Sequence, residues 1–252
     1  MTHPSVAADH FAEADFRVGS VISRSASILL RHLLTFFVVA LIANLPALLL
    51  PNQQPTEPMV LDETLNVLVW LLFSYVVTTV LSTLAEAVIL HAAFQDMRRQ
   101  PVRLAESLNA VLRRFLTIVG LAVVVAVLLL LGLTLFVIPG LILYTMWFVG
   151  LPACVVERRG PWTSLRRSRE LTKGHRWKVF ALALLSIVAS FGGLPIGSGL
   201  GAIAGPIVAL IGVVTWTAIW IAFTAVVVAV TYHDLRVAKE GTDIDQVAAV
   251  FD

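Results

Sequence analysis

The sequence predicts an all-α fold, a polytopic bundle of six transmembrane helices with short amphipathic helices at the membrane interface. Of the 252 residues, 58% are hydrophobic, only 13% are charged, and the mean hydropathy is +0.90. Soluble domains carry about 25% charged residues, so this composition is typical of a membrane protein. We predict a disordered N-terminal tail over residues 1–15, a six-span membrane domain over residues 16–240 and a C-terminal tail over residues 241–252.

Six apolar stretches define the spans. They lie at about 33–50, 65–94, 116–137, 141–156, 179–191 and 207–232. The second stretch, at ~1.5 Å per residue, would reach ~45 Å, so we expect it to tilt or to project from the hydrocarbon core. Residues 192–206 are rich in Gly and carry no charge. They either continue the fifth span or form a broken or re-entrant helix.

Three basic amphipathic segments separate these spans into pairs, at about 16–32, 101–114 and 157–178. The third is the richest in Lys and Arg. Pro161 suits the first position of a helix, where its missing N–H costs nothing, and Gly174 suits the left-handed residue that closes one. Arg166 and Glu170 stand four apart, so their charges meet on one helix face. We therefore predict a short cationic helix at the membrane surface.

The distribution of positive charge predicts the topology. All eighteen Lys and Arg lie before span one, between spans two and three, between spans four and five, or after span six. Positive residues are retained on the cytoplasmic side. We therefore expect a multi-pass protein of the bacterial cytoplasmic (inner) membrane with both termini in the cytoplasm.

A weak internal threefold repeat divides the membrane domain at about 16–99, 101–160 and 161–240. Each unit consists of a basic helix followed by two spans, and each ends with an acid shortly before Arg. These acids are Asp96, Glu157 and Asp234. Such units commonly build a shared site in transporters. The same rhythm would also arise from ordinary helical hairpins, and both interpretations stay open.

Glu86 and His91 form the candidate polar site within the membrane, because both lie in the second apolar stretch. Glu86 precedes Gln95 by nine residues, which places it ~14 Å along the helix from that end. A charge in hydrocarbon costs several kcal/mol, so such residues usually face a cavity or a partner. The functional interpretation is a proton, cation or headgroup site. The alternative is a structural ion pair with Arg31 or Arg113.

The third basic segment offers candidate contacts for anionic lipid headgroups. These residues are Arg166, Arg167, Arg169 and Lys173. An exposed Lys or Arg contributes about 1 kcal/mol near a charged leaflet. The alternative is that these charges only fix the orientation of the chain.

A stripe of glycines predicts close helix packing. Its members recur every four residues: Gly193, Gly197, Gly201 and Gly205. This spacing gives a helix a smooth face that a neighbouring backbone can approach.

Other function classes lack support in the sequence. Cys154 is the only cysteine, the six histidines lack metal-ligand spacing, and no nucleophile motif appears. We predict no catalytic residue, metal or cofactor and no nucleic-acid partner.

Two motifs resemble those of a known bacterial family. The first set is Pro152, Glu157, Gly160, Pro161, Ser168, Leu171, Thr172, Lys173 and Gly174; the closing set is Tyr232, Asp234, Leu235, Arg236, Glu240 and Gly241. The chain resembles the six-helix membrane domain named after glycerophosphoryl diester phosphodiesterases, in its stand-alone form. In fused members a separate soluble barrel of about 250 residues performs the hydrolysis. About 20 residues follow the last span here, so the resemblance implies the membrane domain without that activity.

The leading hypothesis is therefore a non-enzymatic membrane protein that handles, senses or transports lipid. Its expected partners are membrane lipids, including anionic headgroups; the sequence does not define a protein partner or a homo-oligomer. The second hypothesis is a scaffold that recruits another membrane protein through its surface or the glycine stripe. The third is a membrane enzyme acting on a phospholipid-type substrate.

Overall fold

The computed structural model describes residues 16–49, 61–135 and 137–240, which form eleven helices and contain no strand. The helices are α1 (Val18–Arg31), α2 (Leu33–Leu49), α3 (Leu61–Met97), α4 (Leu104–Leu112), α5 (Phe115–Leu135), α6 (Val137–Trp147), α7 (Gly150–Val156), α8 (Pro161–Thr172), α9 (Arg176–Ser190), α10 (Gly193–Ala204) and α11 (Pro206–Glu240). The predicted all-α class is confirmed. The predicted tails at 1–15 and 241–252 lie outside the described residues.

Five segments are long and apolar enough to cross a membrane. They are Leu65–Met97, Phe115–Gly132, Ile138–Val156, Arg176–Ala204 and Pro206–Glu240. The pair α1 and α2 supplies a sixth if it counts as one span, and it bends by 88° between the two helices. That bend separates the amphipathic α1 from the apolar α2, as expected for an interfacial helix that leads into a span.

The fifth span is longer than its predicted bounds of 179–191. Helix α9 continues through a turn at Phe191 and Gly192 into α10, and together they form one span that ends at Ala204. The chain then reverses at Gly205, whose φ of +87° is the left-handed conformation that glycine adopts most readily. Helices α10 and α11 consequently pack as an antiparallel hairpin.

The three amphipathic helices gather at one end of the bundle, here called the basic end. Helix α1 packs on α11 near Asp234, and α4 packs on α3 near His91. Helix α8 packs on α7 at Gly150. Every one of the three buries at least one serine in its packed face. These serines are Ser25, Ser107, Ser164 and Ser168.

Helix α8 begins and ends where the sequence predicts, but one of its faces is more buried than expected for a helix on the membrane surface. Pro161 opens it, Gly174 follows it with φ of +93°, and Arg166 Nε lies 3.2 Å from Glu170 Oε1. Its other face is buried, and Ser168 Oγ donates a hydrogen bond of 2.8 Å to the carbonyl oxygen of Met146. Because α6 ends at Trp147, that carbonyl lacks a regular helical partner. The serine therefore anchors α8 to the end of α6.

Candidate functional site

A cavity of about 130 Å³ lies within the bundle, between α3, α5, α6, α7, α8 and α11. Glu86 of α3 lines it, together with Thr79 and Thr83 from the preceding turns of the same helix. Leu165 of α8 also contributes to the wall, so the basic end of the molecule borders the cavity. The predicted candidate Glu86 thus faces a partly open space between the helices.

The Glu86 carboxyl group has no hydrogen bond or ion pair with any described residue. The two arginines considered as its partners are engaged elsewhere. Arg31 Nη1 lies 3.5 Å from Asp96 Oδ2, and Arg113 Nε donates to Asn109 Oδ1 at 3.3 Å. A structural ion pair with either arginine is therefore absent from the described part of the chain. An unpaired carboxyl group at this depth requires water or a ligand to satisfy its oxygens.

Aromatic side chains form much of the cavity wall. Tyr144, Trp147 and Phe148 all line it, and the rings of Tyr144 and Phe148 meet edge to face with centroids 6.0 Å apart. Aromatic faces attract cations through their negative quadrupole, by about 0.5–2 kcal/mol depending on desolvation. The wall therefore combines a carboxyl group with rings that favour positive charge.

The threonine hydroxyls add further acceptors. Thr79 Oγ1 donates to the Tyr75 carbonyl oxygen, and Thr83 Oγ1 donates to the Thr79 carbonyl oxygen, each at 2.7 Å. Because each hydroxyl proton is used within α3, only the oxygen lone pairs remain for a ligand. These two threonines can therefore accept hydrogen bonds from a ligand but not donate to it.

His91 does not join Glu86 in this cavity. Five residues on a helix correspond to a rotation of about 140° beyond one full turn, so the two side chains leave α3 in different directions. His91 Nδ1 lies 3.0 Å from Ser107 Oγ on α4, and the imidazole lines a separate cleft at the basic end. The structure does not bring the two predicted polar residues together.

The four predicted lipid contacts, three on α8 and Lys173 directly after it, occupy different environments. Arg167 is mostly buried and binds two acids: its Nε donates to Glu157 Oε1 at 2.8 Å, and its Nη2 donates to Glu240. Burial alone would lower the pKa of the Arg167 guanidinium, but the hydrogen bonds and charges of these acids hold that pKa above its ordinary value. Arg166 is exposed and paired with Glu170, and Arg169 and Lys173 are exposed. Arg167 is therefore a structural residue, and the other three face solvent or lipid.

Ion pairs that the sequence did not predict connect different elements at the basic end. Asp96 Oδ1 lies 2.9 Å from His32 Nε2, and Asp234 Oδ1 lies 3.1 Å from Arg24 Nη1. Glu157 Oε1 also accepts a 2.8 Å hydrogen bond from the Tyr232 hydroxyl. All three acids that close the predicted repeat units are thus bound by other elements. The recurring acid before Arg was the sequence signal for this network, while the threefold repeat itself stays a prediction.

The glycine stripe faces α11 over most of its length. A Cβ atom added to Gly193, Gly197 or Gly201 would meet side chains of α11 at 3.4, 2.7 and 3.4 Å, whereas Gly205 has open space and forms the turn. Two glycines outside the stripe approach their neighbours more closely than these do. A Cβ on Gly192 would lie 2.5 Å from the Trp216 ring, and one on Gly212 would lie 2.3 Å from Leu200.

Within the described ranges, no group of three or more His, Cys, Asp or Glu side chains is placed to hold a metal ion. Comparison with known protein families, curated proteins and solved structures finds no match to this chain.

Proposed function

We propose that this multi-pass membrane protein binds the ammonium group of a small or lipid-borne amine at Glu86, and that it serves in lipid handling or transport rather than catalysis. The observation that carries the proposal is the unpaired Glu86 carboxyl group facing a partly open cavity between the helices. An ammonium group supplies up to three hydrogen-bond donors and a positive charge. It therefore matches the acceptors of Glu86, Thr79 and Thr83 and the aromatic wall.

The volume of the cavity limits the size of the bound group. An apolar cavity of about 150 Å³ admits a molecule as large as benzene. The space beside Glu86 is about 130 Å³. It suits a group of four to six non-hydrogen atoms, on the order of that benzene-sized reference. A short amine or an amine headgroup fits this limit, whereas a complete phospholipid does not.

The proposal includes the cell location that the charge distribution predicts. The Lys and Arg of the basic end support a cytoplasmic position for that end in a bacterial inner membrane, with both termini on the same side. The resemblance to the stand-alone phosphodiesterase membrane domain is part of the same proposal, and it carries no hydrolytic activity to this chain.

The scaffold hypothesis has less support. Its strongest sequence feature was the glycine stripe, and Gly193, Gly197 and Gly201 pack against α11 of the same chain. That face is consequently occupied within the monomer. We therefore consider ligand binding at Glu86 better supported than recruitment of a partner protein.

The test compares a charged probe with its neutral isostere. Purified protein in phosphatidylcholine nanodiscs is titrated with the ethanolammonium ion or with ethylene glycol, and the thermal unfolding midpoint is followed. A ligand at 100 times its Kd stabilises the folded state by about 2.7 kcal/mol. We expect ethanolammonium to raise the midpoint, ethylene glycol to leave it unchanged, and Glu86→Gln to weaken the response at least about tenfold, since the charge partner is lost.

The matched control is Glu170→Gln, which removes an exposed carboxylate on α8. It should respond as the original protein does. An equal response of the Glu86→Gln protein and the control would overturn the proposal, as would a response to both probes alike. Uptake of the same ion into proteoliposomes then separates transport from lipid handling.

A further inference from the structure

A second and larger cleft lies at the basic end, outside the Glu86 cavity. It has a volume of about 570 Å³ and opens between the end of α3, helix α4, the start of α5 and the end of α7. Ligand pockets typically enclose about 300–1,000 Å³. The cleft is therefore large enough for a phosphate group together with part of the molecule that carries it.

Four arginines line this cleft against a single acid. The arginines are Arg98, Arg113, Arg114 and Arg158, and the acid is Glu106. Glu106 is already engaged, because its carboxylate pairs with Arg103 at 2.9 Å and accepts a hydrogen bond from Gln95 at 3.3 Å. The positive charge of the cleft is consequently not neutralised by its own lining.

None of these four arginines forms an ion pair with another described residue. Arg113 contacts the Asn109 side chain, and Arg114 Nη1 donates to the Cys154 carbonyl oxygen at 3.2 Å. Elsewhere at the basic end, by contrast, Arg24 and Arg167 bind carboxylates. The cleft is thus lined by arginines that have no acidic partner among the described residues, whereas other arginines at the basic end do pair with acids.

Contacts between neighbouring elements position the side chains that line the cleft. The Arg114 contact joins α5 to the last turn of α7. Arg158 follows that turn with φ of +56°, a left-handed conformation that few residues other than glycine adopt. His91 Nδ1 is bound to Ser107, which leaves Nε2 as the free polar atom of the imidazole that lines the cleft.

We propose that this cleft is a phosphate-binding site for a phosphate ester, either a soluble one or a lipid headgroup. Guanidinium groups bind phosphate oxygens through paired, charge-assisted hydrogen bonds, and four arginines line this cleft. The site does not depend on the function proposed for Glu86, because its residues and its ligand charge are different.

Arg98 and Arg158 are the residues to change. Both are exposed and neither side chain holds another part of the described structure, so a change at these positions removes charge without removing an internal contact. The test protein is therefore Arg98→Gln with Arg158→Gln. The control is Arg99→Gln with Arg176→Gln, which removes the same charge from exposed positions that do not line the cleft.

Binding of glycerol phosphate is measured by calorimetry on protein in phosphatidylcholine nanodiscs. We expect the Arg98 and Arg158 double variant to bind at least about tenfold more weakly than the original protein, because two charge-assisted contacts are lost. The control should bind within about twofold, since it retains the cleft. Equal losses in the two double variants would mean that phosphate responds only to the overall positive charge, and an unchanged Kd in the first would mean that it does not enter the cleft. Either result overturns the proposal.

A second arm identifies the source of the phosphate. The same titration is repeated in nanodiscs that contain phosphatidylglycerol. If the original protein no longer binds glycerol phosphate there, the lipid headgroup competes for the cleft, and the ligand is a headgroup. If the affinity is the same in both membranes, the ligand is a soluble ester. Thermal unfolding of each variant without ligand verifies that it folds.

Discussion

Replacing Arg167 by Met removes the guanidinium that joins α8 to both α7 and α11. The Met side chain keeps the apolar stem of the arginine, so the change mainly affects charge and hydrogen bonding. Arg167 retains only 17% of its side-chain exposure, and its partner Glu157 retains 10%. The variant therefore leaves a nearly buried carboxylate with one cation fewer.

The expected loss in the free energy of unfolding depends on the contacts that Glu157 retains in the variant. Breaking a buried ion pair by removing one member costs about 3–5 kcal/mol, because the remaining charge is uncompensated. Glu157 still accepts from Tyr232 at 2.8 Å and lies 2.6 Å from Arg159. We therefore expect a smaller loss of about 2–3 kcal/mol in the free energy of unfolding. That loss corresponds to a shift of roughly 30- to 150-fold in the folding equilibrium.

The neighbouring residue provides the control. Arg166→Met makes the same chemical change one position earlier on α8, where the side chain is 83% exposed and pairs with Glu170 across one turn. Such a pair contributes about 0.3–0.5 kcal/mol. Denaturant-induced unfolding in mixed micelles, followed by tryptophan fluorescence, gives both values. Equal losses for the two variants would refute the structural role of Arg167. Partial recovery in Arg167→Met with Glu157→Gln would support it, because the unpaired charge is then removed.

Two further substitutions test the packing of the bundle. Gly192→Ala should destabilise the protein by about 1–3 kcal/mol, because its Cβ would lie 2.5 Å from the rigid Trp216 ring. Gly199→Ala, whose Cβ would have nothing within 4 Å, should be neutral or stabilising. The thermal unfolding midpoints of the two variants check both expectations. Ser168→Ala should cost about 0.5–1.5 kcal/mol in the free energy of unfolding, because the part-buried hydrogen bond to the Met146 carbonyl oxygen is lost. Unchanged denaturant unfolding would show that this hydrogen bond contributes little.

Much of the local structure followed from the sequence. Proline at position 161 and glycine at 174 marked the limits of α8, and the spacing of Arg166 and Glu170 predicted their contact. These features depend on residues at most four apart, or on the intrinsic conformational preference of one residue. Hydropathy likewise located the spans, because a segment in lipid must be apolar along its whole length.

The candidate sites were predicted less completely. Glu86 was identified because an acid is rare in an apolar span, and the structure adds the cavity and its aromatic wall. His91 satisfied the same sequence criterion but faces a different cleft. Arg113 was considered as a partner of Glu86, but the arginines around that cleft were not predicted to form a site, since a sequence does not tell which Arg has an acidic partner.

Ion pairs between residues that are distant in the sequence could not be predicted, for a physical reason. Arg24 and Asp234 meet across 210 positions, and Arg31 and Asp96 across 65. In apolar spans nearly every face is compatible with lipid, so hydropathy does not define which faces pack together. The sequence by itself indicated a helical membrane protein, located most of its apolar segments and showed where its charges gather. Only the tertiary structure decided which charges neutralise one another, because that depends on helix rotation and on the packing of small residues such as Gly197.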